Sequence, residues 1–169
     1  PQAISSGIVP VVCAALKQWE DEIICIRELL AALQTLCWEK SSVKAVVSQG
    51  VLPNIVEYLQ ATDTEVRGTA TAALANILSY SDTIFLSDES TVHYLASNVH
   101  LLVEMLQSEP DRTQKCYIAA AIANASANPV LAGALLQSRA LELMRDLESK
   151  AMATLNLGGS RLLECAQTS

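Results

Sequence analysis

Hydrophobic residues recur along this chain at the three- and four-residue spacing of amphipathic helices. The clearest stretch covers residues 64–79, where an Ala-rich apolar pattern follows Thr62-Asp63, a pair suited to capping a helix N-terminus. No long alternation of Val, Thr and aromatic residues indicates a strand. The pattern therefore predicts an all-α protein.

Short segments with Gly and Pro mark where helices begin. Gly-Ile-Val-Pro at 7–10 recurs as Gly-Val-Leu-Pro at 50–53, a step of 43 residues. A glycine ends one helix by taking up left-handed backbone at little cost, and a proline fits the first turn of the next. Both segments are predicted to separate two helices.

Two further repeat units are predicted to begin at Asn98 and Arg139. The four units then begin at Gly7, Gly50, Asn98 and Arg139, which are 43, 48 and 41 residues apart. These steps are close to the period of roughly 40–47 found in helical repeat proteins. The predicted units are 7–49, 50–97, 98–138 and 139–169.

Three helices are predicted within the second unit, at 50–60, 64–79 and 90–97. Short helices at 42–48 and 129–138 are the equivalents of the last, and Asn128-Pro129 marks where the second of them begins. The link 79–89 carries the only Phe in the chain and is interpreted as surface cover, with a functional loop as the alternative.

Polar residues stand at matching places in the long helices. Asn76 and Asn124 lie 48 residues apart in similar Ala-rich stretches, and Gln34 is predicted to take their place in the first unit. One turn later stand Trp38 and Tyr80, with Asn128 in the third unit. We expect either a shared contact to a ligand or bonds between adjacent repeats.

These residues resemble the armadillo repeat family. The resemblance is carried by Gly-Val-Leu-Pro at 50–53, Ala-Leu-Ala-Asn-Ile-Leu at 73–78 and the three-helix spacing. It implies a right-handed α-solenoid of about four three-helix repeats, in which the third helices line a concave groove that binds extended peptides.

By the same resemblance, Asn76 and Asn124 would hydrogen-bond a ligand backbone, with Gln34 as a substitute. An Asn amide both donates and accepts, so it pairs with a peptide group whatever the side chain. Peptide-binding members carry Trp one turn before that Asn, where this chain has Leu30, Ala72 and Ala120. Trp38 and Tyr80 are predicted to form a different aromatic edge, or else to pack between repeats.

Charge narrows the class of partner. The formal net charge is −7, and no Lys or Arg occurs from residue 68 to residue 111. An acidic chain is poorly suited to nucleic acid or to an anionic membrane surface. The expected partner is a protein or peptide, and a basic one is favoured.

The five cysteines predict a reducing compartment. Their odd number and the lack of close pairs do not indicate a disulfide framework, and each sits in an apolar helical context where a buried thiol is expected. We expect a cytoplasmic location, with the nucleus as the alternative. No metal-ligand spacing occurs.

No pattern supports an enzyme or a cofactor site. His93 and His100 have no nucleophile context, and Gly158-Gly159 lacks the spacing and the Lys of a phosphate loop. The leading hypothesis is a non-enzymatic protein-binding scaffold or adaptor.

Two alternatives stay open for the function. One is a spacer or oligomerisation module, in which apolar edges near Val9, Val12 and Leu162 contact further repeats or another chain. The other is a regulatory repeat domain of a larger enzyme or ligase. In each case the chain is interpreted as one repeat domain within a longer protein.

Overall fold

Nine α-helices follow one another in the part of the chain that the computed structural model describes, which is residues 2–19, 22–83, 89–138, 145–146 and 149. Side chains are described from residue 7. Those residues contain no strand, and the all-α prediction is confirmed. The helices are α1 (Gln2–Gln18), α2 (Ile23–Leu36), α3 (Lys40–Ser48), α4 (Leu52–Glu57, extended by a 3₁₀ turn Tyr58–Gln60), α5 (Thr64–Leu78), α6 (Glu89–Asn98), α7 (His100–Ser108), α8 (Arg112–Ala125) and α9 (Pro129–Gln137).

Two sequence predictions fall outside these residues. Nearly all of the predicted fourth unit, 139–169, is beyond them, as is the middle of the predicted 79–89 link.

Three long helices, α2, α5 and α8, pack side by side and make the most extensive contacts in the fold. They are named here the third helices. The central one, α5, is buried along most of its length and is rich in small residues, including Gly68, Ala70 and Ala73. Small side chains let helix axes approach closely. The result is an α-solenoid in which each third helix covers the flank of the one before it.

Side-chain caps fix where the later helices begin. The Asp63 Oδ1 atom accepts hydrogen bonds from the backbone N–H groups of Glu65 and Val66, at 3.1 and 2.9 Å. Asp111 caps α8 in the same way, and Asn128 caps α9. These oxygens satisfy backbone donors that have no partner within the helix. The caps predicted at Asp63 and Asn128 are confirmed.

The two Gly–Pro segments behave differently. Gly50 has φ +63° and ends α3, so the helix break predicted there is confirmed. The break predicted at Gly7 is wrong, because α1 runs without interruption from Gln2 to Gln18, with Pro10 inside it. Pro10 is the ninth residue of α1, so it removes one hydrogen bond from the helix interior, yet the helix continues through it. A Gly–Pro segment is therefore compatible with either outcome.

Near the start of the chain, the exposed apolar residues are each one position before the ones that were predicted. Val9 and Val12 are buried, whereas Ile8 and Val11 have 44% and 66% of their surface exposed. A one-residue shift rotates a position by about 100° around a helix, which is enough to move it from the core to the surface. The predicted Leu162 edge lies outside the described residues.

Burial of the thiols follows the prediction in part. Cys13 and Cys37 are buried, and burial raises their pKa values to about 11 and about 12. Cys25 is half-buried. Cys116 is exposed on α8, so the buried thiol expected there is wrong. Its helical neighbours Ile118 and Ala121 supply the buried face instead.

Ion pairs join successive repeats near the start of the third helices. The Arg27 guanidinium on α2 pairs with both carboxylate oxygens of Asp63 and lies 2.9 Å from Glu65. Arg67 on α5 pairs with the buried carboxylate of Glu109 at 3.4 Å and donates to the carbonyl of Ala61 at 2.8 Å. The hydrogen bond from Arg27, followed by that from the Val66 N–H, holds the pKa of Asp63 below its usual value.

Gly50→Ala and Gly133→Ala form a matched pair of stability variants. Alanine at 50 must adopt positive φ, so we expect a loss of about 1 kcal/mol. Gly133 lies inside α9 with open space where a Cβ would stand, so alanine there should stabilise by about 0.5–1 kcal/mol. Urea unfolding measures both. Effects of the same sign would contradict the backbone assigned to Gly50.

The depressed pKa of Asp63 predicts a specific loss of stability in acid. A carboxyl whose pKa is lower in the folded than in the unfolded chain stabilises the fold above the unfolded value of about 3.9, and the contribution disappears as pH falls through the folded pKa. Arg27→Gln removes the main cause of the shift. We expect the wild type to lose more stability than Arg27→Gln between pH 5 and pH 2. Parallel curves would contradict this origin.

Candidate functional site

Hydrogen bonds from side chain to backbone set the register of the third helices. The Asn76 amide Nδ2 donates to the carbonyl oxygen of Gln34 at 2.8 Å. The Asn124 amide donates in the same way to the carbonyl of Ala75, also at 2.8 Å. Gln34 and Ala75 are therefore equivalent acceptors, 41 residues apart.

This register corrects one sequence assignment. If Gln34 matches Ala75, the residue that matches Asn76 in α2 is Thr35, and Gln34 is not the Asn substitute. The Thr35 hydroxyl donates to the carbonyl of Ala31 within its own helix, at 3.0 Å. The sequence itself carries the signal, because Ala-Ala-Leu at 31–33 aligns with Ala-Ala-Leu at 72–74 at the same step.

The same register defines one surface shared by α2, α5 and α8, named here the third-helix face. It takes the residues spaced i, i+4, i+7, i+11 and i+14, which lie on one side of a helix. On and just after α2 all five are exposed, on the side opposite the buried Ile26, Leu30 and Leu33. The face comprises Ile24, Glu28, Ala31, Thr35 and Trp38 of α2, Glu65, Thr69, Ala72, Asn76 and Ser79 on and directly after α5, and Thr113, Tyr117, Ala120, Asn124 and Ala127 on and just after α8.

Across the three helices this face forms rows of similar chemistry. The middle row is Ala31, Ala72 and Ala120, which gives a floor of methyl groups. Beside it runs a polar row made of Thr35 and the two asparagines. The Trp that the resemblance to peptide-binding armadillo proteins led us to expect would stand in the alanine row. This face has methyl groups at those positions, and no aromatic rings.

The asparagine amides are held in one orientation. The Nδ2 group of Asn76 is already bonded to the preceding helix, and in the described part of the chain its Oδ1 atom has no hydrogen bond. Asn124 is arranged alike. Of the two alternatives that the sequence allowed, the hydrogen bond between adjacent repeats is therefore present. Each half-buried amide thus keeps its acceptor for a ligand, whereas one of its two N–H donors is already used.

Trp38 and Tyr80 occupy different environments. Tyr80 is half-buried against the core, and its hydroxyl donates to the carbonyl of Trp38 at 2.8 Å, which ties it between repeats. The Trp38 side chain has 75% of its surface exposed. Tyr117 of α8, which the sequence analysis did not single out, is 39% exposed. The exposed aromatic residues of the face are therefore Trp38 and Tyr117.

Asn128 and Ser81 complete the junction between the last two third helices. The Asn128 amide donates to the carbonyl of Ser81 at 3.2 Å while its Oδ1 caps α9. The Ser81 hydroxyl donates to the carbonyl of Asn124 at 2.8 Å. Both side chains are buried, and each hydrogen bond satisfies a polar group that would otherwise be costly to bury.

The two histidines lie on α6 and α7, outside the third-helix face. His93 and His100 are both exposed. Among the described residues no three His, Cys, Asp or Glu side chains come together as metal ligands. None of the described helices combines the length and the apolar character that crossing a membrane requires.

A family model supports the repeat assignment. The Armadillo/beta-catenin-like repeat model matches residues 41–79, which begin in α3 and end directly after α5. The matched repeat thus takes its helices in the order α3, α4, α5, a different phase from the predicted unit 50–97. In this phase α6, α7 and α8 form the next repeat, and α2 ends the one before.

Solved structures give a second comparison. A crystal structure of an engineered protein from the Northeast Structural Genomics Consortium is 25% identical, with a TM-score of 0.67 over 87% of this chain and 59% of that one. A second engineered protein from that consortium is 22% identical, with a TM-score of 0.44 over 87% of this chain and 46% of its own. This chain therefore spans about three-fifths and less than half of their lengths. No curated protein sequence matches it.

Residues 41–79 thus match an armadillo repeat, and the described helices form an α-solenoid like that of an engineered protein. Armadillo repeats commonly mediate interactions between proteins.

Asn76→Ala tests the amide as a link between repeats. Loss of its hydrogen bond to the Gln34 carbonyl should cost about 1 kcal/mol of unfolding free energy. Asn76→Asp should cost at least as much, because an oxygen then faces that carbonyl. Thr35→Ala is the matched control, since its bond stays within α2, and should change stability by less than about 0.5 kcal/mol. Equal losses in Asn76→Ala and Thr35→Ala would refute the link.

Proposed function

We propose that this protein is a non-enzymatic interaction scaffold that binds an extended partner segment across the third-helix face. The observation that carries the proposal is the exposure of that face on its two outer helices, with aromatic residues at Trp38 and Tyr117. On the central helix the face is more enclosed: Ala72 is buried and Asn76 is half-buried. Tryptophan and tyrosine are the residues that most often dominate binding energy at protein interfaces.

The chemistry of the face favours a peptide over a small molecule. Methyl groups of the alanine row permit close approach of a backbone, and the Oδ1 atoms of Asn76 and Asn124 are placed to accept N–H donors. An extended chain presents such donors at regular intervals of about 3.3 Å per residue. Glu28, which forms no ion pair in the described part of the chain, adds negative charge at one end of the face, which favours a segment with a basic side chain there.

The face also disfavours the mode of relatives that carry Trp beside the Asn. That mode holds the long stems of basic side chains between aromatic rings, and the alanine row offers no rings. We therefore propose that specificity comes from the two exposed aromatic residues, with the asparagines binding backbone irrespective of sequence.

Selection from a displayed library of random 12-residue peptides tests this function. Peptides that bind the wild type should lose about tenfold or more in affinity to Trp38→Ala and to Tyr117→Ala, because each deletes an exposed aromatic anchor. Titration calorimetry measures the affinities. Both side chains are exposed, so these variants are expected to fold normally.

Leu136→Ala is the control for that experiment. Leu136 is a large apolar residue on α9 with 59% exposure, away from the third-helix face. Its replacement should leave the affinities unchanged. Peptides that bind Trp38→Ala and Tyr117→Ala like the wild type, or that fail only on Leu136→Ala, would rule out the third-helix face as the binding surface.

A further inference from the structure

Two open cavities lie on either side of the 3₁₀ turn Tyr58–Gln60, away from the third-helix face. One has a volume of about 490 Å³ and lies between the turn and the start of α2 and α5. The other, of about 410 Å³, lies between the turn and α7. Leu59 is one of the residues at the turn that separates them.

Each cavity contains an apolar patch within a mixed lining. Ile26 and Val66 form the patch in the first cavity, and Leu101 and Met105 form it in the second, which polar side chains line to a similar extent. Such patches suit the methylene stems of long side chains, which pack on apolar surface while their charged ends stay in water.

The rims carry carboxylates that are free of ion pairs in the described part of the chain. Glu57 stands at the first cavity and Glu104 at the second, and both are exposed. Among the described residues two cations stand at these rims, and both are already paired. Arg67 binds Glu109 and the carbonyl of Ala61. Arg27 binds Asp63 of the first lining. Each cavity therefore combines an apolar patch with an unneutralised carboxylate.

We propose that these cavities are paired subsites for two basic side chains of a protein partner, bound on this outer surface independently of the third-helix face. The stems of Arg or Lys would rest on the apolar patches, and their charged ends would meet Glu57 and Glu104. The linings of the two cavities share Gln60 and Ala61, so the subsites adjoin and one short segment can reach both. Residues i and i+3 of a polyproline II segment lie on one side of the chain about 9.3 Å apart, so two basic side chains can point toward the same surface.

The probe is the capped peptide Arg-Pro-Pro-Arg, added to the whole chain at low salt and followed by NMR shifts of methyl and amide groups. We expect saturable shifts at Leu59, Leu101 and Met105 on one side of the turn and at Ile26 on the other. The same peptide with citrulline in place of both arginines keeps its shape without the charge and should cause none.

Carboxylate variants then assign the charges. Glu57→Gln with Glu104→Gln should weaken binding of the arginine peptide about three- to tenfold, as expected for two exposed charge contacts. Asp82→Asn with Glu89→Gln removes two exposed carboxylates that line neither cavity and lie outside the third-helix face, and should leave the affinity unchanged. Trp38→Ala should also have no effect, which separates this proposal from the function assigned to the third-helix face.

Three results would overturn the paired subsites. One is equal binding of the citrulline peptide, which would show that charge is not recognised. Another is an unchanged affinity of Glu57→Gln with Glu104→Gln. The third is a set of shifts confined to the third-helix face around Asn76.

Discussion

The packing of α2, α5 and α8 against one another is the constraint on which the rest of the fold depends. Each junction is closed by an asparagine amide that reaches back to a main-chain carbonyl of the preceding helix, from Asn76 to Gln34 and from Asn124 to Ala75. A polar group in such a partly enclosed place contributes to stability only if it is paired. Because the pairing fixes both the height and the rotation of one helix against the next, it also determines which side chains reach the common surface.

The small residues of α5 and the ion pairs near the helix starts act together with these amides. Gly68 lies directly against the Gln114 side chain of α8, where a Cβ would stand 3.2 Å from Gln114 Cδ. In the same part of the helices, Arg27 and Arg67 each bind a carboxylate of the following repeat. The third helices are thus held near their starts by charge and by the close contact at Gly68, and near their ends by amide hydrogen bonds.

Much of this fold could be predicted from sequence because its helix boundaries are set locally. The caps at Asp63 and Asn128 and the left-handed Gly50 depend on a few adjacent residues, and each was found where the sequence placed it. Gly7 was not, since a glycine allows a break without requiring one.

The candidate surface was harder to predict because it depends on contacts between repeats. Gln34 is polar and close to the expected position, yet the structure uses its backbone and puts Thr35 in the row with Asn76. The sequence also could not show that Trp38 is exposed while Tyr80 is half-buried, since this depends on which ring a neighbouring repeat covers.

One consequence concerns how freely such helices can change. The acceptors at Gln34 and Ala75 are peptide carbonyls, which every amino acid possesses, so the side chains at these two positions contribute nothing to the bond itself. For these two bonds, the side chain that joins two repeats resides on the later one, whereas the ion pairs also need the arginine of the earlier one. A repeat of this type could accept a foreign successor that brings its own asparagine, which makes the order of the repeats, and not only their composition, open to rearrangement.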